Sequence, residues 1–290
     1  NLKKITENQV MSFAGVPIVK DRTILNQVDE RLKKTPLRYF TEYLKKNVYS
    51  SVVANTKEDV LGRFYGQFIL YSGGDGQTLG VVLTPSHITD LFCDLIDLKP
   101  EDVVFDPTCG TGGFLITAMH KMLEQADKSE ADKIKRDRIH GIEIREEMFS
   151  IATTNMILRG DGKSNLLKDD FLRRSVDAMR VNNYTVGLMN PPYSQAKGKD
   201  TAHLSEIHFI EHLLDGLGDK GRAVVIVPQS TMVGKTSEDK QVKKRLLKKH
   251  TLEGVITLNK NTFYGVGTNA CIAVFTAHQP HNPQKYCKFI

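Results

Sequence analysis

The sequence predicts an α/β protein with a mostly parallel sheet, helices on both faces of that sheet, and a small helical domain before it. From Leu83 onward, amphipathic helices alternate with short apolar strands, which is typical of a parallel sheet. The last two predicted strands, 254–258 and 270–276, are joined by a loop and can form an antiparallel edge. Residues 1–70 show only the helical spacing of apolar side chains.

The composition is that of an ordinary globular protein: of 290 residues, 40% are hydrophobic and 26% are charged. The four cysteines have no CxxC spacing, so neither a metal site nor a disulfide framework is predicted. Because there is no secretory signal and no apolar run of membrane-spanning length, we expect a cytoplasmic protein without a membrane partner. Residue 1 is Asn and an apolar strand lies close to the last residue, so we expect part of a longer polypeptide.

The helical N-terminal domain is predicted over residues 1–75 and the α/β domain over residues 76–290. The sequence Gly73-Gly74-Asp75-Gly76 interrupts the helical pattern and is predicted to be a hinge between them. The apolar side chains at helical spacing in the first domain are Ile24, Leu25, Val28 and Leu32, then Leu37, Phe40, Tyr43 and Leu44, then Val60, Leu61, Phe64 and Phe68.

Local signals define the elements of the α/β domain. Thr84 is predicted to cap a helix that has Pro85 at its first position, and the segment 128–138 is predicted to be a charged connector. The parallel strands are predicted at 103–105, 139–144, 165–167, 185–189 and 223–227.

A glycine-rich turn from Asp106 to Phe114 follows the first parallel strand, with the sequence Asp-Pro-Thr-Cys-Gly-Thr-Gly-Gly-Phe. Ligands of open parallel sheets bind beyond the carboxyl ends of the strands, where this turn is expected to lie. Its glycines, Gly110, Gly112 and Gly113, permit positive φ and close approach of a ligand, and the next helix presents free amides to an anion. The turn does not match the G-x-G-x-x-G motif of dinucleotide folds, because it begins with Asp106-Pro107 where pyrophosphate-binding loops have glycines. The Asp106 carboxylate would attract an ammonium group and repel a pyrophosphate.

Acidic residues follow the next two predicted strands. Glu143 ends the second strand and is predicted to accept hydrogen bonds from ribose hydroxyls, as the acid of dinucleotide folds does. Either Asp169 or Asp170, after the third strand, could accept a hydrogen bond from an adenine amine. For each of these acids the alternative is an ordinary surface carboxylate at the end of a strand.

The sequence Asn190-Pro-Pro-Tyr193 ends the fourth strand and can hold an exocyclic amine. The side-chain oxygen of Asn190 and the carbonyl of Pro191 would accept both amine hydrogens, which localises the nitrogen lone pair. The prolines stiffen the segment, and Tyr193 offers a face on which an extruded base can stack. The alternative is a simple turn. The polar loop 194–203 is predicted to close over such a base or to be an ordinary surface loop.

These two motifs together predict methyl transfer from S-adenosylmethionine to an amino nitrogen. This prediction requires that the carboxyl ends of the first and fourth strands lie side by side.

Basic residues are concentrated near the C-terminal end. Residues 219–252 contain nine Lys or Arg against three Asp or Glu, and the remainder of the chain is balanced. Lys243, Lys244 and Lys248 are therefore candidate DNA-binding residues on a predicted basic helix, 240–249. The alternative is a solvated helix face that covers Val242, Leu246 and Leu247.

The motifs, in this order, resemble the adenine-N6 DNA methyltransferases in which the cofactor motif precedes the target-amine motif. They resemble more closely the modification (M) subunit of type I restriction-modification systems, over about residues 59–276. The residues that carry the resemblance are Leu83-Thr-Pro85, Asp106 to Leu115, Gly141-Ile-Glu143, Asn155-Met-Ile-Leu-Arg-Gly160, Asn190 to Tyr193, and Phe263-Tyr-Gly-Val-Gly-Thr-Asn269.

The chain departs from this family at Leu83, where the family usually has an aromatic residue. No target-recognition domain is predicted between or after the motifs. That arrangement fits a type I subunit and equally fits a truncated single-chain enzyme.

The resemblance implies a Rossmann-like, S-adenosylmethionine-dependent methyltransferase fold that acts on double-stranded DNA. It also implies a separate specificity (S) subunit and, optionally, a restriction (R) subunit. The candidate catalytic residues are Asn190, Pro191, Pro192 and Tyr193. The candidate cofactor-binding residues are Leu83, Thr84, Pro85, Asp106, Thr108, Gly110, Thr111, Gly112, Gly113, Phe114, Glu143, Ile144 and Asp170.

Two other functions remain open from the sequence. One is methylation of RNA or of a protein glutamine, which uses similar turns; the Thr84-Pro85 helix and the helical N-terminal domain argue against it. The other is a non-catalytic scaffold that keeps the fold and binds nucleic acid or partner subunits. The presence of both motifs in one chain argues against a protein that has lost its catalytic activity.

Overall fold

The computed structural model describes residues 27–49, 59, 62, 84–160, 165–193, 199–234, 237–260, 262 and 269–290. The chain divides into two compact units, Asn1–Thr56 and Lys57–Ile290. The predicted hinge and the domain boundary at residues 75 and 76 lie outside the described residues, so the boundary stays a prediction.

The first unit contains helix α1, Pro36–Leu44, which continues into a π-helical turn, Lys45–Tyr49. The side chain of Thr35 caps α1 by accepting from the Arg38 amide. The predicted helix around residues 28–32 is wrong. Asp29 Oδ1 accepts from the amides of residues 31 and 32, both at 2.9 Å, and this local turn competes with helical hydrogen bonds.

The second unit is built on an eight-stranded sheet with the order β3-β2-β1-β4-β5-β7-β6-β8. The strands are β1 Val104–Asp106, β2 Ile139–Glu143, β3 Asn165–Lys168, β4 Val186–Met189, β5 Arg222–Pro228, β6 Thr251–Thr257, β7 Ala270–Thr276 and β8 Lys288–Phe289. Strands β1 to β5 pair in parallel, and β7 runs antiparallel to both β5 and β6. The predicted class is confirmed, with β7 inserted between β5 and β6.

Helices alternate with these strands. They are α2 Ser86–Leu95, α3 Gly113–Gln125, α4 Lys128–Asp137, α5 Glu146–Leu158, α6 Val176–Arg180, α7 Glu206–Gly216, α8 Gln229–Val233 and α9 Ser237–Lys249. Short 3-10 helices lie at Phe171–Arg173 and Lys199–Leu204. The second of these replaces the end of the predicted loop 194–203, and residues 194–198 lie outside the described part.

Two sequence-based predictions about helices are wrong. The segment 128–138 is not a connector but α4, which Asp127 caps by accepting from the Glu130 amide at 2.8 Å. Only Ile134 of α4 is buried, so the helix lacks the apolar periodicity that would have revealed it. Thr84 does not cap α2; Pro85 occupies the cap position, and the Thr84 hydroxyl is used in the candidate site instead.

Helices cover both faces of the sheet, because successive strand residues point to opposite sides. In β5, Val224 and Ile226 join the core beneath α2 and α3, whereas Val225 and Val227 join the core beneath α7 and α9. Among the described residues, no helix combines the length and the apolar character needed to span a bilayer.

Candidate active site

The glycine-rich turn and the sequence Asn190–Tyr193 meet at the carboxyl ends of two neighbouring strands. β1 and β4 are parallel partners, with Phe105 opposite Gly187. The hydroxyl of Thr108 donates to the backbone carbonyl of Asn190 at 3.2 Å. The predicted side-by-side placement of the first and fourth strands is therefore confirmed.

The turn adopts the left-handed backbone that its glycines permit. Gly110 has a φ of 56° and Gly112 has a φ of 89°, whereas Gly113 is the first residue of α3. The Gly112 amide donates to the Cys109 carbonyl at 2.8 Å. The amides of the first turn of α3 have no acceptor within the helix, so this end of α3 favours an anionic group.

Asp106 is completely buried at the end of β1. Its Oδ1 accepts from the Thr108 amide at 3.1 Å, but its Oδ2 has no hydrogen-bond partner among the described residues. Burial raises the pKa of Asp106 to about 8, and the nearby Glu143 adds to that effect. An unsatisfied buried acceptor costs free energy that a donor on a ligand would recover.

Glu143 is also buried, at the end of β2. Its two carboxylate oxygens accept from the Arg145 amide at 2.7 Å and from the Gly110 amide at 3.0 Å. Burial raises the pKa of Glu143. The side chain thus ties β2 to the glycine-rich turn, and the next residue, Ile144, is 60% exposed.

The two aspartates after β3 both have partners. Asp169 accepts from Arg174 at 2.8 Å, and this hydrogen bond lowers the pKa of Asp169. Asp170 Oδ1 accepts from the Leu172 amide at 3.1 Å, and Asp170 Oδ2 lies 3.3 Å from Arg173. These contacts do not separate the two candidates, and the role of Asp170 stays a prediction.

Asn190 is held by two threonines. Its Nδ2 donates to the Thr84 hydroxyl at 3.1 Å, and its backbone carbonyl accepts from Thr108. Within the described ranges, no donor contacts Asn190 Oδ1 or the Pro191 carbonyl, so both oxygens remain able to accept from a ligand.

The other residues of this motif differ in exposure. Pro191 is buried, Pro192 is exposed, and Tyr193 is partly buried. The Tyr193 hydroxyl donates to the Ile226 carbonyl on β5 at 3.3 Å, and burial raises its pKa. This contact fixes the tyrosine ring against the sheet.

A cleft that is open to solvent lies between the glycine-rich turn, Thr84 and Asn190. Its lining residues are Asp59, Thr84, Thr108, Cys109, Gly110, Thr111, Gly113, Phe114, Met148 and Asn190. Phe114 also belongs to the core, where its ring centroid lies 4.5 Å from that of Phe92. Leu83 lies outside the described residues.

The sequence-based prediction gave no site role to Asp59 or to Asn155, although Asn155 begins one of the segments that carry the family resemblance. Asn155 Nδ2 donates to Asp59 Oδ1 at 2.7 Å, although the two residues are 96 positions apart. The available signal was a polar residue on the buried side of α5, next to Ile151, Ala152 and Met156. Asp59 belongs to no local motif that would have revealed it.

The basic helix α9 has both charged and buried faces. Val242 and Leu246 are buried, as the alternative interpretation expects, while Lys244 and Lys248 are exposed. Lys243 is different: it donates to the Met232 carbonyl at 2.6 Å, and burial lowers its pKa. The DNA-binding role of the three lysines stays a prediction.

The strand order and the cleft at the carboxyl ends of the parallel strands define a Rossmann-like fold. A solved structure from Listeria monocytogenes, described as a candidate class I S-adenosylmethionine-dependent methyltransferase, has this fold. It matches with a TM-score of 0.62 and 18% identity, over 99% of this chain and 92% of that one.

The chain belongs to the N-6 DNA Methylase family, whose profile matches residues 56–290. It is 52% identical to the type II restriction enzyme and methyltransferase RM.BcgI of Heyndrickxia coagulans, over 92% of this chain and 42% of that protein. It is 27% identical to the methylase subunit of the type I restriction enzyme EcoEI of Escherichia coli, over 90% of this chain and 52% of that subunit. The predicted resemblance is confirmed, and the chain spans about half the length of these relatives.

Proposed function

We propose that this chain transfers a methyl group from S-adenosylmethionine to the N6 amine of adenine in DNA. The observation that carries the proposal is the hydrogen bond from Thr108 to the Asn190 carbonyl. This bond joins the glycine-rich turn to the sequence Asn190–Tyr193, which we call the amine-binding motif. A nitrogen held by Asn190 would then lie next to the ligand cleft. Membership of the N-6 DNA Methylase family supports the same activity.

The candidate residues in and around the cleft fit the cofactor. The unpartnered Oδ2 of Asp106 would accept from an ammonium group, and the amides at the start of α3 would bind a carboxylate. Glu143 would accept from ribose hydroxyls, and Ile144 and Asp170 would contact the adenine. When bound, S-adenosylmethionine supplies an activated methyl group on a sulfonium.

The chain's own residues would prepare the adenine amine. Asn190 Oδ1 and the Pro191 carbonyl accept its two hydrogens, so that the nitrogen lone pair becomes available. Tyr193, fixed by its bond to the Ile226 carbonyl, stacks on the extruded base. Pro192 keeps this segment rigid.

The substrate is tested by incubating the chain with labelled S-adenosylmethionine and, in parallel, with unmethylated DNA, RNA and protein. We expect label in N6-methyladenine after digestion of the DNA. Label in RNA or on glutamine, with none in DNA, would replace this proposal by the rival one.

A titration of thermal stability separates an enzyme from a non-catalytic scaffold. A ligand at about 100 times its Kd stabilises the folded state by about 2.7 kcal/mol, so millimolar S-adenosylmethionine should raise the melting temperature. An unchanged melting temperature would favour the scaffold.

The biological setting that we propose is a restriction-modification system in the cytoplasm, with double-stranded DNA as the partner. In one arrangement the chain belongs to a type I modification subunit that works with separate S and R subunits; the EcoEI relative is named as a methylase subunit of a type I restriction enzyme. In the other, restriction and methylation reside in one protein, and the 52% identity to RM.BcgI favours this second arrangement. The complete reading frame and its neighbours distinguish them: an adjacent specificity-subunit gene supports the first, and a fused nuclease segment supports the second.

A further inference from the structure

Asn155 connects helix α5 to the glycine-rich turn. It has no exposed surface, and its Nδ2 donates both to Asp59 Oδ1 at 2.7 Å and to the Thr111 carbonyl at 2.9 Å. Arg159, one turn later, donates to the Asn155 carbonyl at 2.9 Å and to Asn155 Oδ1 at 3.1 Å. Every polar atom of the Asn155 side chain is thereby occupied.

Asp59 and Asn155 together hold the hydroxyl and the carbonyl of Thr111. The Thr111 hydroxyl donates to Asp59 Oδ2, and the Thr111 carbonyl accepts from Asn155. Asp59 is fixed in turn, because its Oδ1 also accepts from the Gly62 amide at 2.7 Å.

One peptide group of the turn is consequently bound at both ends. The carbonyl of Thr111 and the amide of Gly112 belong to the same planar unit. The carbonyl accepts from Asn155, and the amide donates to the Cys109 carbonyl at 2.8 Å. Rotation of this peptide would change the φ of 89° at Gly112 and redirect the amides that begin α3.

The charges of the network favour a rigid arrangement. Burial raises the pKa of Asp59, and the hydrogen bonds from Thr111, Gly62 and Asn155 act in the opposite direction. Arg159 is buried as well and supplies a positive charge near Asp59. A buried polar network whose members are all satisfied holds one geometry, whereas a partly satisfied network is costly.

We propose that Asp59, Asn155 and Arg159 are positioning residues that hold the Thr111–Gly112 peptide in the orientation needed to bind S-adenosylmethionine. The inference rests on the proposed function, which it deepens. It assigns the affinity for the cofactor partly to side chains that do not belong to the glycine-rich turn. The network contacts the glycine-rich turn at Thr111, whereas Asn190 is held by Thr108 earlier in the turn and by Thr84 outside it, so the network acts mainly on cofactor binding and not on the transfer step.

The test compares Asn155→Leu with Thr153→Val on the same helix. Thr153 is a matched control because its buried hydroxyl has no partner among the described residues. In Asn155→Leu, the Kd and the KM for S-adenosylmethionine should rise by about tenfold or more, and kcat at saturating cofactor should stay within about twofold. Thr153→Val should match the wild type in all three quantities.

A second readout uses the ligand-free protein labelled with ¹⁵N-glycine. The Gly112 amide signal should move in Asn155→Leu and stay in place in Thr153→Val. If Asn155→Leu fails to fold, Arg159→Met replaces it, with an expected loss of affinity of about threefold and a smaller shift of the same signal.

Unchanged cofactor affinity in a folded Asn155→Leu protein, or a fall in kcat alone, would overturn the inference. A wild type that binds S-adenosylmethionine but methylates no polymer would contradict the proposed function while the affinity comparison still decides the inference. A wild type that does not bind the cofactor leaves the decision to the Gly112 signal, since an unmoved signal would show that the network does not position the peptide.

Discussion

The amide nitrogen of Asn190 donates to the hydroxyl of Thr84 at 3.1 Å, across 106 positions of sequence. This bond leaves the amide oxygen as the group that can accept from a target amine. A residue expected to cap a helix thus orients the residue expected to carry out catalysis. This contact gives Thr84 a role in orienting Asn190, which can be tested separately from its predicted role in cofactor binding.

Replacing Thr84 by Val should lower kcat by about tenfold, because Asn190 Nδ2 loses its acceptor when Oδ1 faces the amine. Thr84→Ser retains a hydroxyl and should keep most of the rate. Single-turnover methylation rates at saturating cofactor provide the measurement. Equal rates for the Val and Ser variants would show that the hydroxyl does not matter.

Asn190→Ala should reduce methyl transfer by about 100-fold or more while the Kd for S-adenosylmethionine stays the same, because one of two acceptors for the amine is lost. Asn182→Ala is the control. Asn182 precedes β4, at the opposite end of the strand from Asn190, and donates to the Tyr184 hydroxyl at 2.9 Å. Substantial turnover by Asn190→Ala would contradict the assigned role.

The raised pKa of Asp106 should make both the stability of the fold and the binding of the cofactor depend on pH. Its pKa of about 8 in the folded protein exceeds the value of about 4 expected when unfolded. The neutral acid therefore stabilises the fold fully below about pH 4, and this contribution is lost as the pH rises through about 8.

An ammonium group on the ligand would favour the charged carboxylate of Asp106. Binding below about pH 8 should then release a proton, and the affinity for S-adenosylmethionine should rise by up to about tenfold per pH unit between about pH 6 and 7. Calorimetry in buffers of different ionisation enthalpy measures the released proton. Asp106→Asn should abolish the release; an equal release in that variant would assign the proton to another group.

Gly112→Ala should lower the free energy of unfolding by about 1–2 kcal/mol, because a Cβ is strained at a φ of 89° even though the nearest atom is 3.6 Å away. Gly113→Ala is the matched control, since Gly113 has a helical backbone and its nearest neighbour is 4.0 Å away. Denaturant unfolding compares the two variants. Equal stability would mean that the left-handed backbone is not required.

The lysines of α9 should fall into two groups. Lys244→Gln with Lys248→Gln should weaken DNA binding and reduce the slope of log K against log salt concentration by up to about 2, if each contacts one phosphate. Lys243→Gln should mainly lower stability, because Lys243 is bound to the Met232 carbonyl.

Lys128→Gln with Lys288→Gln is the control pair for charge, since both lysines are exposed and lie on other elements. An unchanged salt slope in the Lys244 and Lys248 variant would identify that side of α9 as an ordinary solvated face.

The sequence by itself determined the α/β class and both motifs, because alternating apolar segments, glycines and prolines act through local backbone preferences. It also placed Asp106 and Asn190 at strand ends, since the strand before each is short and mostly apolar. The sequence did not predict helix α4, because its single buried residue, Ile134, produces no helical periodicity of apolar side chains.

Only the tertiary structure decided which distant groups meet. The bond between Asp59 and Asn155, the insertion of β7 beside β5, and the contact of Lys243 with Met232 each depend on how separate segments pack. Such contacts leave no local pattern, because a side-chain hydrogen bond specifies the chemistry of its partner but not the position of that partner in the chain.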